Sequence, residues 1–379
     1  MKVSNNMSLK ILHINSYFST SGLFKQLYDR QIEQGHDLSV YVPISHSYPQ
    51  SKLAASGEYT QVVPCFDQWQ RYFFHLKHPR IWQDLKSRYS FSAYDVVHAH
   101  SLFSNGWLAH QIYQEYGVPY IVAVRNADIH TFFNKLFWLR PMGLRILQDA
   151  RQIIFISENS YHRVFDQFIP KDLLQEFDAK TQVITNGIED FWHQEIYLDK
   201  IKEVHRPLRI VSTGKLMTLK RFVPLARMIH QSSQLLGPIE LHIVGPAWDK
   251  TIEKQLSHYP FVTYHGPLNK EAMRDLYRQM DIFALLSYPE TFGLVYPEAM
   301  SQGLPVIYTR GEGFDSFFPD HQVGASIQRD DAIGFHQGLE YILQHYDRLS
   351  QNALSASQIF QWDQVASRYQ EVYNHILHS

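Results

Sequence analysis

Cysteine is nearly missing from this chain. Cys65 stands alone among 379 residues, so no internal disulfide can form and no cysteine-based metal site can be assembled. A basic excess is missing too: 35 Lys and Arg face 37 Asp and Glu, which removes the usual signature of a nucleic-acid partner. No window approaches the roughly 20 apolar residues of a spanning helix. The apolar run after the polar MKVSNNMSLK is too short for a signal peptide, and a cytoplasmic location is expected. Asp-x-Asp occurs nowhere, so a diphosphate bridged to protein by a divalent ion is not expected, and no metal ligand set is assigned.

What remains is a globular composition, 45% hydrophobic and 19% charged, on a chain long enough for two domains. Two similar segments open its halves, LKILHINSY at Leu9 and LRIVSTGKL at Leu208. Each is an apolar strand flanked by basic residues and followed by a helical pattern. Further strands are expected at Leu38–Val42, Asp95–His98, Tyr120–Val124, Gln152–Ile156 and Gln182–Ile184. In the second half they fall at Glu240–Val244, Phe261–His265, Asp281–Leu286 and Pro305–Tyr308. Strand–helix alternation predicts α/β architecture, two Rossmann-like doubly wound parallel sheets. The boundary lies within Asn186–Pro207, where the strand rhythm pauses. In such sheets ligands gather at the carboxyl ends of the strands, so the working site is expected in a cleft faced by both domains.

The stretch YPETFGLVYPEAM, Tyr288 to Met300, follows an apolar strand and turns into a helical pattern after Gly293. Pro297 suits a first helical turn, which puts Glu298 near a helix N-terminus. Backbone N–H groups there, with Phe292, Gly293 and Leu294, favour an anion. Gly214, Lys215, Lys220 and Arg221 cluster at the end of the Leu208 strand. They add the cations of a diphosphate site, against the alternative of a solvated basic turn. Gly245 would let backbone approach a phosphate. The carboxylates suit hydroxyls, Glu298 a ribose and Glu290 a transferred sugar. A sugar nucleotide fits this set, with its base read by backbone near His265–Leu268.

These motifs, with QGHDLSV, DVVHAHS, VRNADIH, ITNGIEDFW and FQWDQVASRY in order, resemble the GT-B glycosyltransferases of family 4 over nearly the whole chain. The resemblance implies transfer of a sugar from a nucleotide donor with retention of configuration and without a metal or other cofactor, a UDP-sugar being the first candidate. It implies that Glu298 holds the ribose and that Glu290 lies near the transferred sugar. It further implies that Phe292, Gly293 and Leu294 offer backbone to phosphate and sugar, and that Lys220 is the usual lysine. Lys215 stands where the family most often has arginine, and Arg221 replaces a glycine and could supply the missing fork. Ser21-Gly22-Leu23 takes the place of a Gly-Gly loop, which makes Gly22 donor-binding. Arg125, Asp128 and His130 resemble the Arg-Gly-Ser/Thr-Asp segment, with Arg125 on the acceptor side and Asp128 and His130 as candidates for the reaction centre or, alternatively, for turn-capping. The family pattern sets domains at 1–190 and 191–360. Its closing helix, 361–379, returns to the first domain. It also implies a role in bacterial surface polysaccharide or glycoconjugate synthesis, with a glycan, lipid-linked or protein acceptor.

Rival readings are a non-hydrolysing sugar-nucleotide epimerase and a non-catalytic sugar-nucleotide-binding partner subunit. His98 and His100 are read as a hydrogen-bonded structural pair rather than metal ligands. Two aromatic-basic stretches, Trp69–Phe91 and His130–Leu147, could rest on the inner face of an anionic membrane, the alternative being helices packed on the sheet with snorkelling cations.

Overall fold

Short runs rich in Ile, Val and Leu form thirteen strands among the described residues, which are 8–49, 53–200 and 203–378 of this computed structural model. In chain order they are β1 (Lys10–Ile14), β2 (Asp37–Ser45), β3 (Thr60–Phe66), β4 (Val96–Ala99), β5 (Tyr120–Val124), β6 (Gln152–Phe155) and β7 (Thr181–Val183). The second half supplies β8 (Leu208–Thr213), β9 (Ile239–Val244), β10 (Val262–Tyr264), β11 (Ile282–Leu285), β12 (Val306–Thr309) and β13 (Gly324–Ile327). β1 to β7 make one parallel sheet in the order β3-β2-β1-β4-β5-β6-β7, and the rest make another in the order β10-β9-β8-β11-β12-β13. Both are doubly wound, as the strand–helix alternation predicted. The order reverses between β1 and β4 in the first sheet and between β8 and β11 in the second. Those two switch points are where such sheets bind ligands.

Two strands escape the sequence reading, β3 and β13, and each is an edge strand. Pro64 within β3 argues against a strand, yet an edge tolerates the missing donor. The β3 register with β2 shifts between Ile44 and Ser45, next to Pro64. β13 is four residues beginning with a glycine, too short to show a period.

The chain divides into two compact units. Unit 1 takes the chain to Ile156, Ser160–Asn186 and everything from Trp362, while unit 2 takes 157–159 and 187–361. The Trp362–His378 helix therefore belongs to unit 1, where it packs beside the Leu23–Glu33 helix. Its apolar stripe, Trp362, Val365, Ala366, Tyr369, Val372, Tyr373 and Ile376, is buried in one cluster with Ile11, Leu27, Tyr28 and Val40. Gln31 donates to the Tyr373 hydroxyl at 2.9 Å, and His98 contacts the same hydroxyl at 2.7 Å. Burial of this kind contributes about 1.5–3 kcal/mol per large apolar side chain. A chain ending at Phe360 should consequently lose cooperative unfolding and bind a hydrophobic dye at ambient temperature. A monodisperse truncation with the parent's melting curve would contradict this packing.

Candidate active site

Unit 2 builds its site at the switch point between β8 and β11. Gly214, just past β8, has φ +152°, a backbone conformation that favours glycine, and the Lys220 stem passes alongside it. Gly245, just past β9, is more tightly constrained. A Cβ on it would sit 2.0 Å from the Gly214 carbonyl oxygen, at a φ of +139°. Only glycine fits there. The strand ends are stitched by Gly214 N–H donating to Val244 O at 2.9 Å and by Gly245 N–H donating to Gly266 O at 2.9 Å.

Lys220 Nζ lies 2.7 Å from Glu290 Oε2, and the side chains are 24% and 13% exposed. Ser287 Oγ donates to the same oxygen at 3.1 Å, and the Thr291 N–H donates to Oε1 at 3.1 Å. Burial pushes the Glu290 carboxyl up, but the Lys220 ammonium and the hydrogen bonds from Lys220 and Ser287 prevail and hold it below its ordinary range. It is an anion, already paired. The loop is fixed from below by Glu312, a buried residue that sequence reasoning missed. Its carboxylate accepts the Glu290 N–H, and Gly313 N–H donates to Glu290 O at 2.9 Å. A lone acidic residue some twenty positions downstream carries no pattern that would have marked it.

The other expected donor residues separate into three environments. Lys215 is exposed, with its ammonium 4.0 Å from the centroid of Trp248. Arg221 does not offer a free fork: it pairs with Asp330, and its own φ of +56° turns the chain into the Phe222–Leu236 helix. One edge of the guanidinium suggested as a replacement for the fork lost at Lys215 thus already has a carboxylate beside it. Phe292 is buried, Gly293 has φ +84°, and Leu294 is the N-cap of the six-residue Val295–Met300 helix, with no side-chain cap. Leu268 is exposed and follows Gly266, whose φ is +70°. Glu298 is the fourth residue of that short helix, partly buried.

Unit 1 places Arg125, Asp128 and His130 just past β5. Asp128 is 1% exposed and caps its own loop. It accepts backbone N–H bonds from Leu102 at 3.0 Å, Phe103 at 3.0 Å and Arg125 at 2.8 Å. Burial moves its carboxyl up to about 6, while those bonds pull the other way. Both oxygens are engaged by backbone donors, the arrangement of a turn cap. His130 Nε2 lies 3.3 Å from Arg163 Nη1. Gly22 caps the Leu23–Glu33 helix without a side-chain bond. The His98 and His100 pair gains a third ring. His13 Nδ1 is 3.0 Å from His100 Nε2, and Tyr28 Oη is 3.2 Å from that same nitrogen. Burial holds all three imidazoles well below the ordinary value, His13 at about 3, so they are neutral.

Glu298 generates a pH prediction. Burial raises its carboxyl to about 8, Glu189 adds to the rise and Lys270 opposes it. A carboxyl with a raised folded-state pKa keeps its proton while the unfolded chain has lost it, so stability present at low pH drains away as pH climbs through the folded value. The melting temperature of Glu298→Gln should fall less than the parent's between about pH 6 and about pH 9. Parallel curves would show that Glu298 ionises normally.

Residues 23–191 match the Glycosyltransferase Family 4 model and residues 193–356 match Glycosyl transferases group 1. The D-inositol 3-phosphate glycosyltransferase of Corynebacterium diphtheriae is 30% identical over 305 residues, 74% of this chain and 70% of that protein. Among solved structures, sucrose-phosphate synthase from Thermosynechococcus elongatus superposes with a TM-score of 0.78 at 16% identity, over 98% of this chain and 99% of that one. Anabaena HepE in complex with UDP-glucose gives 0.70 at 16% identity, over 97% and 100%. The doubly wound pair of sheets, the Lys220–Glu290 site and these matches together show that the chain belongs to the family 4 glycosyltransferases of the GT-B fold.

Proposed function

We propose that this glycosyltransferase takes its sugar from a nucleotide sugar, a UDP-sugar first among candidates, and transfers it with retention of configuration. The observation that carries the reading is the Lys220–Glu290 pair at the β8/β11 switch point, 2.7 Å across and beside Gly214 and Gly245. Lys220 and Lys215 supply positive charge for a departing diphosphate, and the uncapped backbone after Gly293 supplies N–H donors. Glu290 is ionised and held by Lys220, Ser287 and Thr291. It is suited to accept hydroxyls of the sugar rather than to attack it. Glu298 is suited to the ribose. With no free nucleophile assigned, the retaining route is same-face attack, the phosphate oxygen taking the acceptor's proton. The charge on the leaving group is met by lysines, so no metal or other cofactor takes part.

The acceptor side belongs to unit 1, and a glycan or a lipid-linked acceptor of bacterial surface polysaccharide or glycoconjugate synthesis suits it. Large apolar side chains stand exposed there: Trp69, Tyr72, Phe73 and Leu76 at the start of the Phe74–Arg88 helix, and Phe137 and Trp138 beyond β5. No carboxylate interrupts residues 68–83 or 129–148, which carry Arg71, Lys77, Arg80, Lys135, Arg140 and Arg145. Aromatic rings among cations suit peripheral contact with an anionic membrane at its cytoplasmic face. Among the described residues no helix is long and apolar enough to cross a membrane.

Incubation with labelled sugar nucleotides tests the reaction. Transfer or slow hydrolysis supports it, whereas epimerisation or binding without turnover would replace it by one of the rival activities. Activity should survive EDTA, and a loss reversed by magnesium or manganese would contradict the lysine-based leaving-group site. Glu298→Ala should weaken nucleotide binding by about 1–3 kcal/mol in calorimetry, the cost of leaving ribose hydroxyls unpaired.

A further inference from the structure

The loop that carries Glu290 is held by a distant part of the chain. Residues 157–159 belong to unit 2, although Ile156 before them and Ser160 after them belong to unit 1. They follow β6 and open the Glu158–Phe168 helix. Ser157 is fully buried, and its hydroxyl donates to Thr291 O at 2.9 Å. Asn159 Nδ2 donates to Glu312 O at 2.7 Å. Thr291 and Glu312 are themselves buried, and a buried carbonyl oxygen needs such a donor. Two side chains of a three-residue strap thus reach main-chain oxygens 134 and 153 positions further on.

Both carbonyls belong to residues that hold Glu290. Thr291 N–H donates to Glu290 Oε1 at 3.1 Å, while its own carbonyl is held by Ser157. The Glu312 carboxylate accepts the Glu290 N–H, while its carbonyl is held by Asn159. Gly313 packs against the same loop: a Cβ on it would lie 2.0 Å from Thr291 O, so only glycine fits. Lys220 and Ser287 therefore grip the carboxylate directly, and residues 157, 159 and 312 fix the backbone from which it projects.

We infer that Ser157 and Asn159 are positioning residues of the transfer reaction, which fix the Thr291 and Glu312 carbonyls and so hold the Glu290 carboxylate at the angle the transferred sugar requires. This role rests on the glycosyltransferase reading and adds to it two residues that act through Glu290 rather than on the substrate. Loss of either bond leaves a buried carbonyl unpaired and lets the Glu290 loop turn. Misplacing a reaction-site group by about 1 Å costs about a hundredfold in rate. The nucleotide is left to the lysines and Glu298, so the strap governs turnover and not nucleotide affinity.

Full-length variants test this. Ser157→Ala and Asn159→Asp each remove one donor with little change of shape, Ser157→Thr keeps the hydroxyl, and Glu158→Gln alters the exposed residue between them. With labelled UDP-glucose as donor, kcat of Ser157→Ala and Asn159→Asp should fall at least about tenfold at a temperature where both are folded by circular dichroism. Ser157→Thr and Glu158→Gln should keep the parent's kcat, and UDP affinity in calorimetry should match the parent's in all four. Without ligand, amide hydrogen exchange across residues 288–294 should quicken in Ser157→Ala and Asn159→Asp. A lower melting temperature with the parent's kcat in the folded variants would show a merely structural role and overturn the inference. UDP affinity lost in step with kcat, or exchange at 288–294 as slow as the parent's, would overturn it too. Should Asn159→Asp fail to fold, Ser157→Ala against Ser157→Thr decides alone. Absence of turnover by the parent would fall on the reaction reading, and hydrogen exchange would then decide this one.

Discussion

The Lys220–Glu290 ion pair joins two loops that the chain makes seventy residues apart. It spans the point where the strand order of the second sheet reverses, and Tyr288 N–H donating to Leu219 O at 2.8 Å reinforces the same junction. A pair this shielded lies between a solvent-exposed one, at about 0–1 kcal/mol, and a buried one whose disruption costs about 3–5 kcal/mol. Its larger consequence is positional. The ammonium is held in place before any ligand arrives, so little reorganisation is needed when negative charge develops nearby. Removing Glu290 would free Lys220 and strip Ser287 and Thr291 of their acceptor, while removing Lys220 would leave a shielded carboxylate unpaired.

Unit 1 repeats the strand order with the opposite electrostatic outcome. At its β1/β4 switch point the histidines are neutral, because burial makes their charged form too costly. Asp128 is satisfied by backbone donors, and the nearby guanidinium of Arg125, which donates to Asn186, attracts its carboxylate without bonding to it directly. In unit 2 the cation and carboxylate are in direct contact; in unit 1 the carboxylate of Asp128 is held by backbone N–H groups and feels the Arg125 guanidinium only through space.

Central strands were legible in the sequence because burial on both faces leaves continuous apolar runs, as in IVAV of β5 and FALL around β11. Edge strands β3 and β13 were not, since Pro64 and the opening Gly324 erase the pattern at positions where pairing on one side suffices. Single residues at strand ends were visible by type and spacing: Lys220, Glu290, Gly214 and Gly245 sit where turn chemistry puts them. Which of them touch was not visible. Arg221 reads as a spare fork, and its contact with Asp330, more than a hundred residues away, carries no local signal. Glu312 and His13 act through partners far apart in sequence, and no local period announces such contacts. Asp128 reads as a reaction-centre candidate or a turn cap, and the three N–H donors that hold it, two of them more than twenty residues away, carry no local signal.

Lys215 shows how a departure from the family residue can be accommodated. An arginine there would offer two fixed donors to a diphosphate, and a lysine offers one mobile charge. Here the ammonium rests 4.0 Å from the centroid of Trp248, a ring that is 64% exposed. A cation held over an indole gains about 0.5–1 kcal/mol at an exposed site. That is enough to favour one rotamer family and too little to neutralise the charge. The tryptophan thus restores part of the orientation that the fork would have given, and leaves the ammonium free to be shared with an incoming anion. An exposed aromatic side chain that looks out of place on the surface is explained by the cation it orients.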